Sequence, residues 1–313
     1  MVAEKGVVEW LLEGDPSIRW QTMRDLLGPG ARTLERERKR VAQTGWGARL
    51  LELQDPSGQW GGGVYTPKWT STTYTLLVLR GLGLPAGNRQ GLKGCRLLLD
   101  RGLYSDGGIN LGWGRRPSET CVTGMVLSMS AYFGLDDERL ERLAAHLLGQ
   151  QMSDGGWNCQ LWRGATHSSF HTTIGVLEGL RDYELLNPGC APRLREAQAR
   201  AREFLLVHRL FRAHRTGRVI RPEFLRFAFP PRWHYDVLRA LDYFQECRAP
   251  RDERLAEALE LVRAKKQADG RWLLAAGYPG KIHFEMEKAG RPSRWNTLRA
   301  LRVLKWASSS ERS

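Results

Sequence analysis

The stretch Gln151-Met-Ser-Asp-Gly-Gly-Trp157 follows an amphipathic helical pattern and precedes, after a loop, a more apolar one. A similar glycine-rich turn recurs at residues 54–60, 105–109 and 267–272, each time between two such patterns. Self-similarity at a regular spacing is typical of repeat architectures. The turn therefore predicts a chain built from successive helix pairs.

The helix that follows each turn is the more apolar member of its pair, and it is rich in small residues. This composition predicts a helix that is buried on most sides. The partner helices, such as residues 137–150 and 252–265, carry charges on one face and Leu or Ala on the other, which predicts an outer layer. The apolar patterns begin near residues 73, 121, 171, 235 and 295.

The spacing of these helices favours a closed arrangement. His171 follows Cys121 by 50 residues, which fits one helix pair with a long loop. Residues 7–13 and 17–27 add an N-terminal pair, with Asp15 as the predicted N-cap of its second helix. About six pairs result, and an open array of them would leave bare apolar faces at both ends. We therefore expect an all-α fold, an α/α toroid.

Length and composition fit one domain. The chain has 313 residues, 42% of them hydrophobic, which is enough for a sizeable core. Within a single domain over 1–313, we expect residues 1–44 to complete the ring, 45–308 to hold the repeats and 309–313 to form a disordered tail. No run approaches the roughly 18 apolar residues of a membrane span, and residues 1–13 do not resemble a secretory signal. A cytoplasmic location is expected.

The formal net charge is +14, with Lys and Arg spread through the helices. A solvated, arginine-rich surface would explain this charge, as would binding to an anionic ligand such as a diphosphate, to a nucleic acid or to an anionic membrane surface. The densest basic segment, residues 209–221, is not interleaved with aromatic residues as in single-strand binders, so nucleic acid is not favoured. The five cysteines are odd in number and widely spread, which favours reduced thiols or metal ligands.

The Gln-x5-Trp turns at 54–60 and 151–157 resemble the QW-type repeats of the squalene–hopene cyclase and protein prenyltransferase superfamily. The resemblance covers roughly residues 45–308. It implies inner helices that line a central cavity, with the loops that enter them forming its mouth. It also implies a hydrophobic, possibly isoprenoid diphosphate, substrate.

The sequence departs from this superfamily in its acidic motifs. It contains neither the Asp-x-Asp-Asp string of class II cyclases nor the Asp-Asp-x-x-Asp string of class I terpene synthases. Asp136 and Asp137 are predicted to cap an outer helix. The chain is also long enough for only one toroid, whereas cyclases of the hopene type have two. Triterpene cyclisation by the usual acid is therefore not expected.

A zinc site is predicted at the starts of two inner helices. Prenyltransferase β subunits hold zinc with Asp-x-Cys at the start of one inner helix and His at the start of the next; here Glu119-Thr-Cys121 and His171 occupy the matching positions. Cys159 lies between them, two residues after Trp157. Adjacent inner helices start on the same rim, and zinc accepts sulfur, nitrogen and carboxylate oxygen. Three protein ligands would leave a catalytic position open, and four would indicate a structural site.

Each of these residues also has an ordinary interpretation. A free cysteine is often a small buried hydrophobe, and a histidine in an apolar helix is often a hydrogen-bonded core residue.

Further candidates lie at the starts of the later inner helices. Asp236 is a candidate catalytic acid in the lumen, or a helix-start acid that complements the helix dipole. Arg294 and Trp295 are candidates for flanking an anionic ligand or cofactor, with packing and surface roles as the alternative. Several aromatic residues are predicted near the rims, where they would suit an isoprenoid or carbocation pocket or simply pack in the core: Trp69, Tyr74, Trp113, Trp157, Trp162, Trp233 and Trp295.

The sequence favours two functional hypotheses. The first is a zinc-containing protein, similar to prenyltransferases and terpene cyclases, that acts on a hydrophobic, possibly isoprenoid diphosphate, substrate in the central cavity. The second is a non-catalytic helical ring that binds an acidic partner, a lipid or a nucleic acid.

Overall fold

The computed structural model describes residues 5–112, 114 and 116–309, and it is mostly helical, as the sequence predicts. Two short strands, β1 (Trp272–Leu273) and β2 (Pro292–Ser293), pair in antiparallel orientation. The α-helices are α1 (Lys5–Leu12), α2 (Pro16–Thr22), α3 (Ala31–Lys39), α4 (Gly45–Leu51), α5 (Thr72–Leu82), α6 (Arg89–Gly102), α7 (Thr120–Tyr132), α8 (Arg139–Gly149), α9 (Phe170–Leu186), α10 (Ala191–Val207), α11 (Val237–Glu246), α12 (Ala256–Ala264) and α13 (Arg294–Ser309).

Both ends of the chain extend past these helices. The tail expected at 309–313 lies outside the described residues, apart from residue 309, where α13 ends. Among the helices given above, none combines the length and the apolar character that a bilayer crossing demands.

Several helices begin at a side-chain cap. The carboxylate of Asp15 accepts a hydrogen bond from the Ser17 backbone N–H at 2.9 Å, which confirms the predicted N-cap of α2. Ser169 caps α9 and Asp236 caps α11 in the same way. Because Asp236 holds the cap position with an extended backbone, α11 begins at Val237, slightly later than the apolar pattern indicates.

Burial separates two classes of helix. In α7 and α9 almost every side chain of the first three turns is buried, whereas α8 buries only the face formed by Leu140, Leu143, Ala144 and Leu147. We call α5, α7, α9, α11 and α13 the inner helices, and α4, α6, α8, α10 and α12 the outer helices.

Helices α7 and α9 run side by side in the same direction. A Cβ atom placed on Gly124 of α7 would stand 2.9 Å from the Cα atom of Val176 in α9. Further toward the C-terminal ends of both helices, the Ser128 hydroxyl donates a hydrogen bond of 2.8 Å to Asp182. Glycine is required where two helix backbones approach this closely.

The tryptophans of the turns make the same pair of hydrogen bonds. The indole Nε1 of Trp60, Trp157 and Trp272 donates to the carbonyl oxygen ten residues earlier in the chain, at 2.6 to 2.7 Å. The backbone N–H of each tryptophan donates to a threonine hydroxyl of the following inner helix at 3.0 to 3.1 Å. Each turn therefore joins an outer helix to the start of an inner one.

Contacts between the inner helices follow chain order, and α13 returns to the N-terminal helices. Helix α5 packs on α7, α7 on α9, α11 on α13, and α13 on α2. The ion pair between Arg239 and Glu178, at 2.7 Å, joins α11 to α9. Trp20 of α2 donates through Nε1 to the Leu82 carbonyl at the end of α5, at 3.1 Å.

Candidate functional site

Three of the four predicted metal ligands lie together near the start of α7. The thiols of Cys121 and Cys159 are close enough for each to shift the pKa of the other, and the charge of Glu119 raises the pKa of both. The backbone N–H of Cys159 donates to the Thr172 hydroxyl of α9 at 3.3 Å. We call Cys121 and Cys159 the thiol pair. The interaction between the two thiols lowers the pKa of Cys159 and, together with burial, raises that of Cys121.

The fourth predicted ligand, His171, has a different set of neighbours. Its Nδ1 atom accepts a hydrogen bond of 2.8 Å from the Tyr235 backbone N–H. Its ring lies against those of Trp233, Phe224 and His234, with centroids 5.2 to 5.7 Å away. Burial lowers the pKa of His171 to about 4, so the imidazole is neutral at pH 7.

These placements do not combine the four residues into one ligand set. Within the part of the chain that the structure describes, no three His, Cys, Asp or Glu side chains are grouped in a way that could hold a metal ion. A zinc site of Glu119, Cys121, Cys159 and His171 would require the imidazole to leave Tyr235 and turn toward the thiol pair. Zinc therefore stays a prediction, to be tested by metal analysis.

Aromatic rings gather around the Lys68 side chain. The Lys68 ammonium lies 5.3 to 6.0 Å from the ring centroids of Tyr65, Trp69, Tyr74 and Trp233. His234 stacks between Trp233 and Tyr278, with centroids 3.7 and 3.5 Å away. We call these rings the aromatic cluster: Tyr65, Trp69, Tyr74, Trp233, His234 and Tyr278.

The predicted aromatic residues thus have several different positions. Trp69, Tyr74 and Trp233 belong to the aromatic cluster, while Trp157 is a fully buried turn residue. Trp162 is 44% exposed and lies beside the guanidinium groups of Arg116 and Arg163. Trp113 lies outside the described residues.

A cavity of about 660 Å³ lies among the inner helices. Its wall includes Val78 and Arg80 of α5, Glu178 of α9, Tyr243 of α11 and residues of α13 and α2. Nine arginines and four carboxylates of the described residues line it, so the wall carries an excess of positive charge. We call it the arginine cavity, and its charged residues are Arg24, Arg38, Arg80, Arg181, Arg232, Arg239, Arg248, Arg299, Arg302, Asp25, Glu178, Asp242 and Glu246.

Most of these arginines are paired with carboxylates. Arg239 forms two hydrogen bonds with Glu178, at 2.7 and 2.8 Å. Arg302 binds Asp242 and also reaches Asp25 at 3.1 Å. Buried charges of this kind are tolerated because each guanidinium has acceptors in place.

Three arginines of the cavity have no carboxylate partner among the described residues. Arg38 donates to the Gly83 carbonyl at 3.0 Å and to the Tyr132 hydroxyl at 2.9 Å. Arg248 is exposed at the cavity edge, and its guanidinium makes no ion pair with a described residue.

Arg232 differs from the other arginines of the wall. It is half-buried, and its guanidinium makes neither a hydrogen bond nor an ion pair with any other described side chain; its carbon lies 5.5 Å from the Trp69 ring centroid. Burial without a counter-ion lowers the pKa of Arg232 to about 10. Its backbone has φ of 57°, in the left-handed region that costs a non-glycine residue free energy. Arg232 is therefore a desolvated cation held at the cavity wall without a compensating anion.

The remaining predicted site residues take different places. Trp295 lines the arginine cavity and stacks on Phe229, with centroids 4.2 Å apart. Arg294 instead points to α1, where its Nε donates to the Trp10 carbonyl at 3.0 Å. Asp236 is fully buried and caps α11; its Oδ2 atom has no hydrogen-bond partner in the described residues, and burial raises its pKa. Its role as a lumen acid stays a prediction.

The arginine cavity was not predicted from the sequence, although a signal for it is present. Arg80, Arg239 and Arg299 each interrupt an apolar inner-helix pattern. A charged residue in a buried helix must be paired or must face a polar cavity, because an isolated buried charge is costly. Such residues in three of the five inner helices indicate a shared polar interior.

Comparison with known proteins identifies no family. No family model matches the chain, and no curated protein matches it significantly. A solved structure of a protein from Actinoplanes is 15% identical, covers 95% of this chain and 91% of its own, and has a TM-score of 0.46. The type II terpene cyclase MstE from Scytonema, in complex with its substrate geranylgeranyl dihydroxybenzoate, is 15% identical, covers 87% of this chain and 97% of its own, and has a TM-score of 0.36. Since both TM-scores lie below 0.5, the site is interpreted from its own geometry.

Proposed function

We propose that this protein is a closed α/α toroid whose central cavity binds an anionic small molecule. The observation that carries the proposal is Arg232, a half-buried guanidinium at the cavity wall with no anionic partner among the described residues. A bound anion would supply the missing counter-charge. Guanidinium groups suit this role because their planar array of donors matches carboxylate and phosphate oxygens.

The surrounding wall supports an anionic ligand over a neutral or cationic one. The excess of arginines over carboxylates gives the cavity a positive potential, which is strengthened where water is excluded. Arg38 and Arg248 add two further guanidinium groups that no described carboxylate neutralises. Together with Arg232 they would suit a ligand with more than one negative charge, such as a diphosphate.

The volume of the cavity and the apolar surface of its wall restrict the class of ligand further. A cavity of about 660 Å³ has the volume of a small-molecule site and is too small for a protein or nucleic-acid partner. Trp20, Leu77, Tyr132, Phe229 and Trp295 add apolar surface to the wall. The ligand class that we favour is therefore a phosphate or diphosphate with an apolar part, which includes isoprenoid diphosphates. Zinc-dependent transfer at the thiol pair is not needed for this proposal.

Ring closure is supported by contacts between the two ends of the chain. Helix α13 packs on α2, and Arg302 of α13 binds Gln21 and Asp25, both at 3.1 Å. The shared hydrogen bonds of Trp60, Trp157 and Trp272 fit successive units of one repeat.

The test is ligand-induced stabilisation, measured by thermal unfolding with inorganic diphosphate and with a short isoprenoid diphosphate. A ligand at ten times its Kd stabilises the folded state by about 1.4 kcal/mol, and we expect Arg232→Gln to lose most of this effect. The matched control is Arg263→Gln on outer helix α12, whose side chain is exposed and paired with Glu260; it should keep the full shift. Equal stabilisation of the Arg232→Gln variant, or an equal shift with chloride at the same ionic strength, would contradict the proposal.

The apolar part of the ligand is tested by the second probe. A larger stabilisation by the isoprenoid diphosphate than by inorganic diphosphate is expected, because the tail would bury apolar surface against the wall. Equal shifts with both probes would restrict the proposal to the anionic group.

A further inference from the structure

We propose that Cys121 and Cys159 are a redox-active dithiol that closes reversibly into an intramolecular disulfide. The disulfide would covalently join the start of α7 to the loop in front of α9. This site lies apart from the arginine cavity, since neither cysteine belongs to the cavity wall. The disulfide is therefore independent of anion binding and can be tested separately.

The register of α7 and α9 brings the two cysteines together. Gly124 faces Val176, and Ser128 faces Asp182, so the helices advance in parallel along their contact. Followed back toward the helix starts, this register places Cys121 alongside the first two turns of α9, which include Thr172. The Thr172 hydroxyl accepts the hydrogen bond from the Cys159 backbone N–H, which fixes the loop beside Cys121.

The two thiols are close to each other and accessible to a small oxidant. Each is close enough to shift the pKa of the other, and the hydrogen bond from the Cys159 backbone to Thr172 holds the loop against α9. A disulfide requires Cα atoms within about 7 Å and Cβ atoms that face each other. Both cysteines are partly exposed, whereas Cys95 is fully buried. A small oxidant therefore reaches the thiol pair more readily than it reaches Cys95.

The oxidant that we assign is a hydroperoxide, and the reaction balances in two steps. The sulfur of Cys159 attacks one oxygen of hydrogen peroxide and becomes a sulfenic acid, with release of one water that carries away the thiol proton. The sulfur of Cys121 then attacks the sulfenic sulfur, and the hydroxyl leaves as a second water. Two thiols have lost two electrons and two protons, and one peroxide has been reduced. A small thiol reductant reverses the change by thiol–disulfide exchange.

The experiment treats the full chain, purified in the presence of a metal chelator, with a small excess of hydrogen peroxide. Of the five cysteines in the chain, we expect two to become unreactive toward an alkylating reagent after denaturation, and to recover after reduction with dithiothreitol. Mass spectrometry of a non-reduced digest should then identify one linked pair of peptides, which contain Cys121 and Cys159. The Cys159→Ser and Cys121→Ser variants should each lose the linkage.

The matched control is Cys190→Ser, because Cys190 is exposed and lies outside the pair; this variant should form the linkage as the unmodified chain does. The proposal is overturned if Cys159 is recovered as sulfinic or sulfonic acid without a link to Cys121, or if the linkage involves another cysteine. It is also overturned if the purified chain retains one zinc ion per molecule through the chelator and both thiols resist peroxide for that reason. Since circular dichroism reports the fold of each serine variant, loss of the linkage in a folded variant is not confused with unfolding.

Discussion

His171 is a neutral imidazole held among aromatic rings, and its environment makes the stability of the fold depend on pH. Burial is the largest cause of its lowered pKa, about 4, and the charges of Arg239 and Arg221 lower it further, while Glu223 acts in the opposite direction. The pKa of neighbouring His234 is lowered to about 3 for the same main reason. Both rings therefore stay neutral in the folded protein as the solution becomes acidic, unless they leave their buried positions.

We predict that the free energy of unfolding falls as the pH drops from about 6.5 to about 4. Over this range the unfolded chain binds more protons than the folded one, because the pKa of histidine is about 6.5 when it is exposed. One pKa unit corresponds to about 1.4 kcal/mol, so His171 contributes on the order of 3 kcal/mol to the total fall over this range. Urea unfolding across this pH range should give a flatter dependence for His171→Gln. The exposed His167 supplies the control, since His167→Gln should leave the slope unchanged.

The positions of Cys121 and His171 show how far the sequence pattern predicts side-chain contacts. Each is the second residue of an inner helix, as the pattern indicates. Each lies near the loop before the next inner helix: Cys121 lies near Cys159, and the Nδ1 atom of His171 accepts a hydrogen bond from the Tyr235 backbone. The pattern therefore predicts which positions match, but not which neighbours a side chain has.

At the scale of elements, the contact between α7 and α9 depends on glycine in both helices, at Gly124 and at Gly179, where a Cβ atom would stand 2.5 Å from the Gly124 carbonyl oxygen. A methyl group at Gly124 would meet the backbone of Val176 at 2.9 Å and the carbonyl oxygen of Gly175 at 3.1 Å. Backbone atoms cannot turn aside as a flexible side chain can, so the helices would have to move apart. We predict that Gly124→Ala lowers the free energy of unfolding by about 1–3 kcal/mol, the usual cost of overpacking.

Gly175 provides the control within the same pair of helices. A Cβ atom there would meet nothing within 4 Å, and its backbone is helical. Gly175→Ala should therefore be neutral or stabilising by up to about 1 kcal/mol, because alanine favours the helix. Chemical denaturation of both variants measures the change in the free energy of unfolding. Equal effects of the two substitutions would mean that α7 and α9 are not in the close contact described.

The sequence predicts where the helices begin better than it predicts which side chains meet in the interior. The turn stretches end with tryptophans whose hydrogen bonds fix the start of the next inner helix, so local chemistry marks these boundaries. Which charged side chains of the inner helices meet is a different matter, since it depends on the rotation of each helix about its axis. Arg302 and Asp25 are far apart in sequence, and no local pattern indicates their contact. The arginine cavity is for this reason a property of the assembled helices.

At the scale of the whole molecule, an ionic network connects the first and last helical segments. Arg302 of α13 binds Asp242 of α11 and reaches Asp25 and Gln21 on the N-terminal side. The side chain of Arg302 is only 6% exposed, and its charge is stabilised by these acceptors. In a closed ring this contact is an interface between neighbouring units, whereas in an open array its loss would loosen only the last helix.

We predict that Arg302→Gln lowers the free energy of unfolding by about 1.5–3 kcal/mol, less than the full cost of an unpaired buried charge, because Asp242 keeps Arg299 and Asp25 keeps Arg24 as partners. The control is Arg254→Gln, which removes a largely exposed pair with Glu203 and should cost at most about 1 kcal/mol. Hydrogen exchange of the Arg302→Gln variant then distinguishes the two architectures. In a closed ring, protection falls together in α2 and α13, because each covers an apolar face of the other. Loss of protection in α13 alone, with α2 unchanged, would indicate an open array and would remove the structural basis of an enclosed anion site.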